Sequence, residues 1–321
     1  MRTGISLGAI DRRIVAEDIP MRRDYPLVNV IVVHWGSPEN TIACLDSLSA
    51  ISYPNWRAIV VDNGPDPHTL AARLNGMPFV DLIVSPTNVG FSAGANAGIE
   101  RALDGGADYV LLLNNDTLVA PDFLEPLVEL CESRTNVGIV GPKVYYYGTY
   151  RLYSGGGWPR RWLPLLVRQL HTAGLEESTG EVVVTPQRVG YIWGQAMLIR
   201  RAVLEKVGLL DTHFFMYYED CDLCRRATEA GYELYFVPKS RIWHRVAIGT
   251  QGNEWRRWCY YIASMYYFYR KHGRLGKPGA LIATVITLAG IMWEEIRKGN
   301  VRWLGYPLKA LYRRLLNGES E

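Results

Sequence analysis

Short apolar runs alternate with helix signals along the first two-thirds of the chain, and this alternation constrains the fold more than any other feature. Residues 28–33 form an apolar run, Ser37-Pro38 follows, and residues 56–61 form the next run, which ends at Asp62. Ser at an N-cap with Pro at the first helical position is typical of a helix start. The same order repeats, with strands predicted at 80–84, 109–113 and 137–140 and helices at 37–50, 67–74, 92–103 and 121–132. A βαβα order predicts a mostly parallel sheet with helices on both faces.

The second half of the chain is less regular. Residues 145–187 contain Gly155-Gly156-Gly157 and several arginines, and we interpret them as a loop or an acceptor-side insertion. Strands are predicted at 182–189 and 232–237, and a helix at 218–230 that ends at Gly231. We expect three parts: an N-terminal extension (1–26), an α/β domain (27–250) and a basic, aromatic-rich helical tail (251–321).

Polar side chains follow two of the predicted strands. Asp62 ends one strand, and Asn114-Asn115-Asp116 ends another. Ligands of such sheets bind at the carboxyl ends of the strands. Mg²⁺ prefers oxygen ligands and is often held by one or two carboxylates together with substrate phosphates. Asn and Asp also favour turns, so a turn is the alternative for this motif.

A run of aromatic residues leads directly into three acids. Residues 214–218 are followed by Glu219, Asp220 and Asp222. Charged side chains are rarely buried without a partner, so acids beside aromatic surface are candidate ligands or bases. Together with the acidic strand end near Asp116, this segment predicts a metal-dependent enzyme that has a separate general base.

Residues 88–98 form a glycine-rich loop that enters a helix. Its glycines would let a ligand approach the backbone, and free helix N–H groups would meet an anion or a ribose. The spacing is not GxGxxG, so a dinucleotide-binding fingerprint is not met. Close packing of the helix through small residues is the alternative.

The cysteines and the N-terminal segment argue against a disulfide-rich, a CxxC metal-binding and a secreted protein. The five cysteines are an odd, scattered set, unlike a disulfide framework. Cys221 and Cys224 have CxxC spacing, but without a second pair they do not indicate a metal site. The first 26 residues lack an apolar signal-peptide core, and we expect a cytoplasmic protein.

The tail differs in charge from the rest of the chain. Residues 255–321 contain 12 Lys/Arg and 4 Asp/Glu, whereas residues 1–254 contain 23 and 28. Residues 278–293 are an uncharged run of 16, shorter than the roughly 20 residues of a membrane span. With aromatic and basic flanks, an interfacial helix on the inner face of the cell membrane is favoured. Core packing and a true span are the alternatives, and the aromatics argue against nucleic acid as the partner.

These pieces, in this order, resemble glycosyltransferase family 2, an inverting family, and within it the rhamnosyltransferase-like branch. The matching segments are Val61-Asp62-Asn63, Asn88-Val89-Gly90-Phe91, Leu113-Asn114-Asn115-Asp116, Gly194, residues 207–211, residues 215–223 and Trp243-His244. The resemblance covers residues 28–244. It implies a GT-A fold, a dTDP-, UDP- or GDP-sugar donor, and a glycan or lipid-linked acceptor.

The resemblance also assigns roles. Asp62 is expected to bind the donor base, Asn88 and Gly90 to line the nucleotide pocket, and Asn115 and Asp116 to meet the donor. Asp116 would hold Mg²⁺ or Mn²⁺, with His244 as a further ligand. One departure from the family pattern is that its DxD-type motif reads Asn-Asn-Asp here, with a single carboxylate.

Asp220 is expected to be the catalytic base, with Glu219 as the second candidate. Acceptor contacts are predicted at Trp193, Tyr218 and Asp222. Two other functions stay open on the sequence: a sugar nucleotidyltransferase and an inactive membrane-bound scaffold. A nucleotidyltransferase would have a Gly-rich, basic loop after the first strand, where this chain has residues 34–37 with no Lys or Arg. A scaffold would not need its motif acids, which are intact here.

Overall fold

The computed structural model describes residues 25–159, 167–169, 185–245, 254–273 and 276–297, and residues 299, 305, 307 and 309 singly. Most of the predicted N-terminal extension, part of the 145–187 segment and most of the chain after residue 297 lie outside these ranges. The strands are β1 (Val28–His34), β2 (Trp56–Asp62), β3 (Val80–Val84), β4 (Tyr109–Asn114), β5 (Thr117–Val119), β6 (Val137–Tyr146), β7 (Leu152–Ser154), β8 (Gly157–Pro159), β9 (Val167–Gln169), β10 (Gln187–Val189), β11 (Ala196–Arg200) and β12 (Glu233–His244). The helices are α1 (Pro38–Ser49), α2 (Pro67–Leu74), α3 (Gly90–Asp104), α4 (Glu125–Ser133), α5 (Arg201–Val207), α6 (Glu219–Glu229), α7 (Glu254–His272) and α8 (Gly276–Arg297).

The central sheet is mixed and mostly parallel, as the alternation predicted. Within the described residues its strand order is β10-β12-β6-β11-β4-β1-β2-β3. Strands β4, β1, β2 and β3 are parallel neighbours, and β12 is parallel to β6. Strand β11 is antiparallel to both β4 and β6. The parallel strands therefore place their carboxyl ends at one edge of the sheet.

Alternate residues of the buried strands supply two hydrophobic cores, one on each face. On β1, Val30 and Val32 face the core that also contains Leu45 of α1. Ile31 faces the other core, together with Ile99 of α3. A strand that is buried on both faces reads as a continuous apolar run, which explains its sequence.

Helix α3 packs on the sheet through its glycines. A Cβ on Gly98 would lie 2.5 Å from Cγ2 of Ile31, and one on Gly94 would lie 2.9 Å from Nδ2 of Asn63. Neither contact leaves room for a side chain. The small-residue packing alternative therefore describes these two positions, and the close approach brings the start of α3 down onto the sheet edge.

The segment after residue 145 is more regular than predicted. Strand β6 continues to Tyr146, β7 pairs antiparallel with it, and β8 and β9 form a separate two-stranded ribbon. The loop prediction was too broad, because short strands with mixed polar and aromatic side chains lack a clear alternation. Strand β10 is also shorter than the predicted 182–189 strand, of which residues 182–184 are not described.

The described part of the tail is helical, but α7 lies on the α/β domain. Ile262, Met265 and Tyr269 of α7 are almost fully buried, in the same hydrophobic core as the apolar residues of α6. Helix α8 packs on α7, where the Tyr269 hydroxyl lies 2.8 Å from Oγ1 of Thr287. Among the described helices, the 18-residue segment Gly276–Trp293 is long and apolar enough to cross a membrane, and 22% of it is buried.

Candidate active site

The carboxyl ends of the parallel strands gather the polar residues predicted from the sequence. Asp62 ends β2 beside His34, the last residue of the neighbouring β1. Asn114 ends β4, and His244 ends β12 opposite Thr117 of β5. Residues from four strands thus meet at one edge, which is where α/β sheets bind their ligands.

Asp116 and His244 lie in contact at this edge. Oδ1 of Asp116 lies 3.1 Å from Nε2 of His244, and the two side chains are 18% and 10% exposed. Nδ2 of Asn114 lies 3.4 Å from the same His244 nitrogen. Oδ1 of Asp116 and Nδ1 of His244 are buried and have no hydrogen-bond partner. A carboxylate oxygen facing an imidazole nitrogen at this distance needs a proton or a metal cation between them.

The pair fits a divalent cation. Two ligand atoms about 2.1 Å from an octahedral ion, at right angles to each other, lie about 3 Å apart, which is the spacing observed here. Carboxylate oxygen and imidazole nitrogen are both ligands of Mn²⁺, while Mg²⁺ prefers oxygen. No group of three or more His, Cys, Asp or Glu suited to a metal occurs within the described residues. A cation at Asp116 would therefore need further ligands from a bound substrate.

Arg245 lies next to this pair, and the sequence reasoning missed it. Its backbone N–H donates to the Asp116 carbonyl over 2.9 Å. Its guanidinium donates to Oδ1 of Asn40 and to the Tyr147 hydroxyl, each over 2.9 Å, and lies 4.2 Å from the Tyr147 ring centroid. No carboxylate of the described residues forms an ion pair with it. A half-buried cation that is held by neutral groups has charge to offer an anionic ligand.

Asp62 and Asn63 end β2 in different environments. Oδ1 of Asp62 accepts the Gly64 N–H over 2.8 Å, while its Oδ2 is buried without a partner. Nδ2 of Asn63 donates to the Gly90 carbonyl over 2.8 Å, and its Oδ1 also lacks a partner. Beside Asp62, burial lowers the pKa of His34 and the Asp62 charge opposes that shift. Each residue keeps one acceptor atom unused.

Asn88 and Gly90 shape the start of α3. Oδ1 of Asn88 accepts the Gly90 N–H over 3.0 Å. Gly90 has a φ of +84°, and a Cβ there would lie 2.7 Å from the Phe215 carbonyl oxygen. The Phe91 N–H donates to that same carbonyl over 2.7 Å. Gly90 is therefore required by its backbone conformation and by contact with the aromatic segment, whether or not a nucleotide touches it.

Asn115 points towards the loop after β1. Its Nδ2 donates to the Trp35 carbonyl over 3.2 Å and to Oγ1 of Thr41 over 3.0 Å. Oγ1 of Thr41 in turn lies 2.7 Å from Nδ1 of His34. Asn115 thus ties the Asn-Asn-Asp motif to the start of α1, and it leaves Trp35 on the surface with 47% of its area exposed.

The two candidate bases begin α6. Oδ2 of Asp220 accepts the Gly194 N–H over 2.8 Å, and its Oδ1 accepts the Cys221 N–H over 2.7 Å. Glu219 is 7% exposed, and its Oε2 has no partner. Two backbone donors therefore stabilise the Asp220 carboxylate, whereas one carboxylate oxygen of Glu219 has no donor.

Burial raises the pKa of both acids. For Glu219 the shift is large, with desolvation as the main cause and the Asp220 charge adding to it. For Asp220 desolvation raises the pKa, and the hydrogen bonds from Gly194 and Cys221 oppose it. Asp220 is accordingly the acid that ionises first, and Glu219 holds its proton to higher pH.

The backbone before these acids is strained. Tyr217 and Tyr218 both have positive φ, at 72° and 67°. A non-glycine residue in this region costs about 1–3 kcal/mol, and such strain is concentrated at functional sites. The two left-handed residues turn the chain sharply into α6.

The three predicted acceptor residues are placed differently. Nε1 of Trp193 is buried without a partner, and the Gly194 N–H that follows it binds Asp220. The Tyr218 ring packs against Tyr261 and Phe268 of α7, with centroids 5.5 and 5.3 Å away. Trp193 thus keeps a free donor in the residue that precedes Gly194, whereas α7 covers the Tyr218 ring, and the acceptor roles of both residues stay predictions.

Asp222 also lies away from an acceptor. It is fully buried, and Arg226, Lys271 and His272 contact its carboxylate at 2.8, 2.7 and 2.7 Å. Burial opposes the carboxylate, but hydrogen bonds from His272, Lys271 and Arg226 and the Arg226 charge lower its pKa. A carboxylate with three partners and no exposed surface is a structural ion pair, and the predicted acceptor role is not supported.

Several buried polar atoms around this edge have no partner. Buried polar groups are usually hydrogen-bonded, so a cluster of exceptions indicates a missing ligand. The residues at this edge that carry such atoms are Asp62, Asn63, Ser92, Asp116, Trp193, Gln195, Glu219 and His244. The arrangement combines free acceptors, the Asp116–His244 pair that could bind a cation, and the guanidinium of Arg245.

Comparisons with known proteins agree with this geometry. A family model described as "Glycosyltransferase like family 2" matches residues 26–259. An N-acetylglucosaminyl-diphospho-decaprenol L-rhamnosyltransferase of Mycobacterium tuberculosis is 27% identical over 243 residues, which cover 69% of this chain and 76% of that protein. The dTDP-rhamnosyl transferase RfbF of Shigella flexneri is 25% identical over 229 residues, covering 70% and 69%. Rhamnosyltransferase WbbL of Escherichia coli K12 is 27% identical over 231 residues, covering 68% and 83%.

Solved structures show the same fold. A mannosyltransferase of Pyrobaculum calidifontis in complex with GDP-Man and Mn²⁺ superposes with a TM-score of 0.58 and 17% identity, covering 92% of this chain and 89% of that one. GalNAc-T7 with UDP, GalNAc and Mn²⁺ gives 0.56 and 17%, covering 69% of this chain but only 44% of the other. The fold is therefore the GT-A fold that the resemblance implied.

The raised pKa of Glu219 gives a pH-dependent stability. Below about pH 4, Glu219 is protonated in both the folded and the unfolded chain. As the pH rises towards the folded-state pKa, only the unfolded chain releases the proton, so the wild-type protein loses stability. We expect Glu219→Gln, which mimics the neutral acid, to equal wild type near pH 4 and to exceed it near pH 7.

Urea denaturation at both pH values measures this difference, and Glu100→Gln, at an exposed position of α3, is the matched control. A Glu219→Gln protein that is less stable than wild type at neutral pH would contradict the shift.

Proposed function

Because the chain belongs to glycosyltransferase-like family 2 and is a glycosyltransferase, we propose that it moves a hexosyl or rhamnosyl group from a nucleoside-diphosphate sugar to a hydroxyl of a glycan or lipid-linked acceptor, with inversion. The observation that carries this proposal is the group of unpartnered acceptors at the sheet edge beside the Asp116–His244 pair and Arg245. A sugar nucleotide supplies hydrogen-bond donors for the former and a diphosphate for the latter.

The donor would bind across the carboxyl ends of β1, β2 and β4. Oδ2 of Asp62 is the candidate acceptor for an N–H of the base. Asp116 and His244 would hold the divalent cation, which when bound would neutralise the charge that develops on the departing nucleoside diphosphate. Arg245 adds a fixed positive charge on the same side, and Asn115 holds the motif in place.

Asp220 would take the proton from the acceptor hydroxyl. Its two backbone hydrogen bonds fix the carboxylate and favour its ionised form, yet leave lone pairs for the hydroxyl. Burial raises its pKa and so strengthens it as a base. Attack from the face opposite the leaving group inverts the anomeric centre. Trp193, with its free indole N–H, is the candidate acceptor contact.

The scaffold alternative has less support. Asp62, Asp116, Asp220 and His244 are all present, which an inactive fold would not require. A nucleotidyltransferase would release pyrophosphate from a nucleoside triphosphate, whereas the proposed enzyme releases a nucleoside diphosphate. Product analysis separates the two reactions.

Donor binding tests the function directly. We expect UDP-, dTDP- or GDP-sugar to raise the melting temperature in a Mn²⁺-dependent manner, since a ligand that binds only the folded state stabilises it. The dTDP-sugar is the first to test, because a relative is named as a dTDP-rhamnosyl transferase. Asp116→Ala should remove the Mn²⁺ dependence, and Asp122→Ala, at an exposed surface ion pair, should not. Equal donor affinity for wild type and Asp116→Ala with and without Mn²⁺ would refute the metal assignment.

Removal of the base should separate chemistry from binding. We expect Asp220→Asn to lower kcat by about 10²–10⁴-fold, the usual contribution of a general base, with little change in donor affinity by calorimetry. A larger loss in Glu219→Gln than in Asp220→Asn would transfer the role to Glu219. A parallel loss of donor affinity in Asp220→Asn would argue against a base at this position.

We also propose that α8 places the enzyme on the inner surface of the cell membrane. Its Ala280, Thr284 and Leu288 are buried against the protein. The opposite face exposes large apolar side chains at helical spacing, namely Ile282, Val285, Ile286, Trp293 and Ile296. An exposed apolar helix face with basic flanks at Lys277 and Arg297 suits an anionic lipid surface. Such a site would bring the enzyme to a lipid-linked acceptor.

Flotation with anionic vesicles measures this contact. We expect the wild-type protein to float and the double variant Ile282→Asp/Ile286→Asp to remain in the soluble fraction, because charges on the lipid-facing side oppose insertion. Val84→Asp, at an exposed apolar residue of β3, is the control. Wild-type protein that does not float would rule out membrane docking.

A further inference from the structure

We propose that helix α7 is a positioning element of the active site, in which Ser264 and His272 hold the strained 214–222 segment so that Asp220 faces the acceptor hydroxyl. The proposal rests on the proposed role of Asp220 as the base and adds residues that the family resemblance does not assign. It concerns only groups that act through the segment, since neither Ser264 nor His272 reaches the sheet edge.

The strained turn at Tyr217 and Tyr218 depends on contacts from other parts of the protein. Tyr217 and Tyr218 both occupy the left-handed region, where non-glycine residues remain only if their surroundings determine the conformation. The residues that follow them are the two candidate bases. If the turn relaxed, Glu219 and Asp220 would move with it, because the Asp222 N–H bonds to the Tyr218 carbonyl over 2.9 Å at the first turn of α6.

Aromatic contacts from α7 cover this turn. The Tyr218 ring packs between Tyr261 and Phe268, and the Tyr217 ring meets Tyr261 edge to face at 5.6 Å. Just before them in the chain, Phe215 stacks on Tyr260 with centroids 4.5 Å apart and planes at 17°. These rings fix the direction of both strained tyrosines from one side.

Two hydrogen bonds from α7 tie the ends of the segment. Oγ of Ser264 donates to the Met216 carbonyl over 2.8 Å, one residue before the strained pair. Nε2 of His272 lies 2.7 Å from Oδ1 of Asp222, two residues after Asp220. The segment that carries the proposed base is thus held from α7 on both sides.

The tie at Asp222 has an electrostatic consequence. His272 joins Lys271 and Arg226 around this carboxylate, so the third acid of the cluster is compensated by cations. Asp220 then lies beside an ion pair instead of beside a free charge. Loss of the tie would loosen the first turn of α6, while Arg226 and Lys271 would still compensate the Asp222 charge.

Kinetics of matched variants test the proposal. We expect Ser264→Ala and His272→Leu to lower kcat between about ten- and a hundredfold, because a shift of about 1 Å at a reacting group has an effect of this size. Donor affinity, measured by calorimetry with the nucleoside diphosphate and Mn²⁺, should stay within about twofold of wild type. His272→Gln, which keeps a donor for Asp222, should recover most of kcat.

Thr287→Val is the control, since it removes a hydrogen bond between α7 and α8 at Tyr269 and leaves the ties to the segment in place. Its kcat should equal that of wild type. Hydrogen exchange should rise in residues 214–222 of Ser264→Ala and His272→Leu but not of Thr287→Val. Ser264→Ala removes only one hydroxyl, and urea denaturation of this variant checks that it folds as stably as wild type.

Three outcomes would overturn the proposal: wild-type kcat in both Ser264→Ala and His272→Leu, an equal loss in Thr287→Val, or no recovery in His272→Gln. The result for Asp220→Asn separates this failure from failure of the proposed function. If Asp220→Asn is inactive while the α7 variants have wild-type kcat, the base assignment stands and α7 has no positioning role. If Asp220→Asn is fully active, the proposed base is wrong and the inference falls with it.

Discussion

The desolvation of three acids within four residues is the constraint around which this structure is arranged. A charged carboxylate in a low-dielectric interior is unfavourable unless hydrogen bonds or cations compensate it. The fold treats each acid differently: Arg226, Lys271 and His272 contact Asp222, two backbone N–H groups donate to Asp220, and burial raises the pKa of Glu219 strongly. One short sequence therefore yields a structural ion pair, a candidate base and an acid that favours its neutral form, and the surroundings alone distinguish them.

The parallel register supplies the other half of the site. Pairing of β1 with β2 and β4 brings the ends of those strands to one edge, and β12 adds His244 from the far side of the sheet. At that edge Oδ1 of Asp116 and Nε2 of His244 face each other at 3.1 Å, and neighbouring side chains keep unused acceptors. The protein thus maintains unsatisfied polar groups at a cost in stability, which is the usual mark of a ligand site.

Helix α7, the first helix of the C-terminal region, packs on the α/β domain. The charge and aromatic pattern predicted a tail that meets a membrane, and the apolar face of α8 keeps that proposal in place. Yet α7 lies between α8 and the acids, with its aromatic residues on the domain core and its last turn on Asp222. Helix α7 therefore completes the core on that face of the sheet.

The sequence by itself determined the layered α/β fold and the location of the site. Buried apolar runs that alternate with helices permit few arrangements, and polar residues at strand ends fall at one edge because parallel strands share a direction. The tertiary structure alone decided which side chains at that edge are free. Asp220 and Asp222 are the same residue type in one helix turn, and Tyr218 is as aromatic as Trp193. Packing against α7, about 50 residues later in the chain, covers the Tyr218 ring and adds His272 to Asp222, whereas Asp220 is held by the N–H groups of Gly194 and Cys221. The position of Arg245 beside Asp116 was likewise found only in the tertiary structure, because a local sequence pattern does not show which distant groups surround a charge.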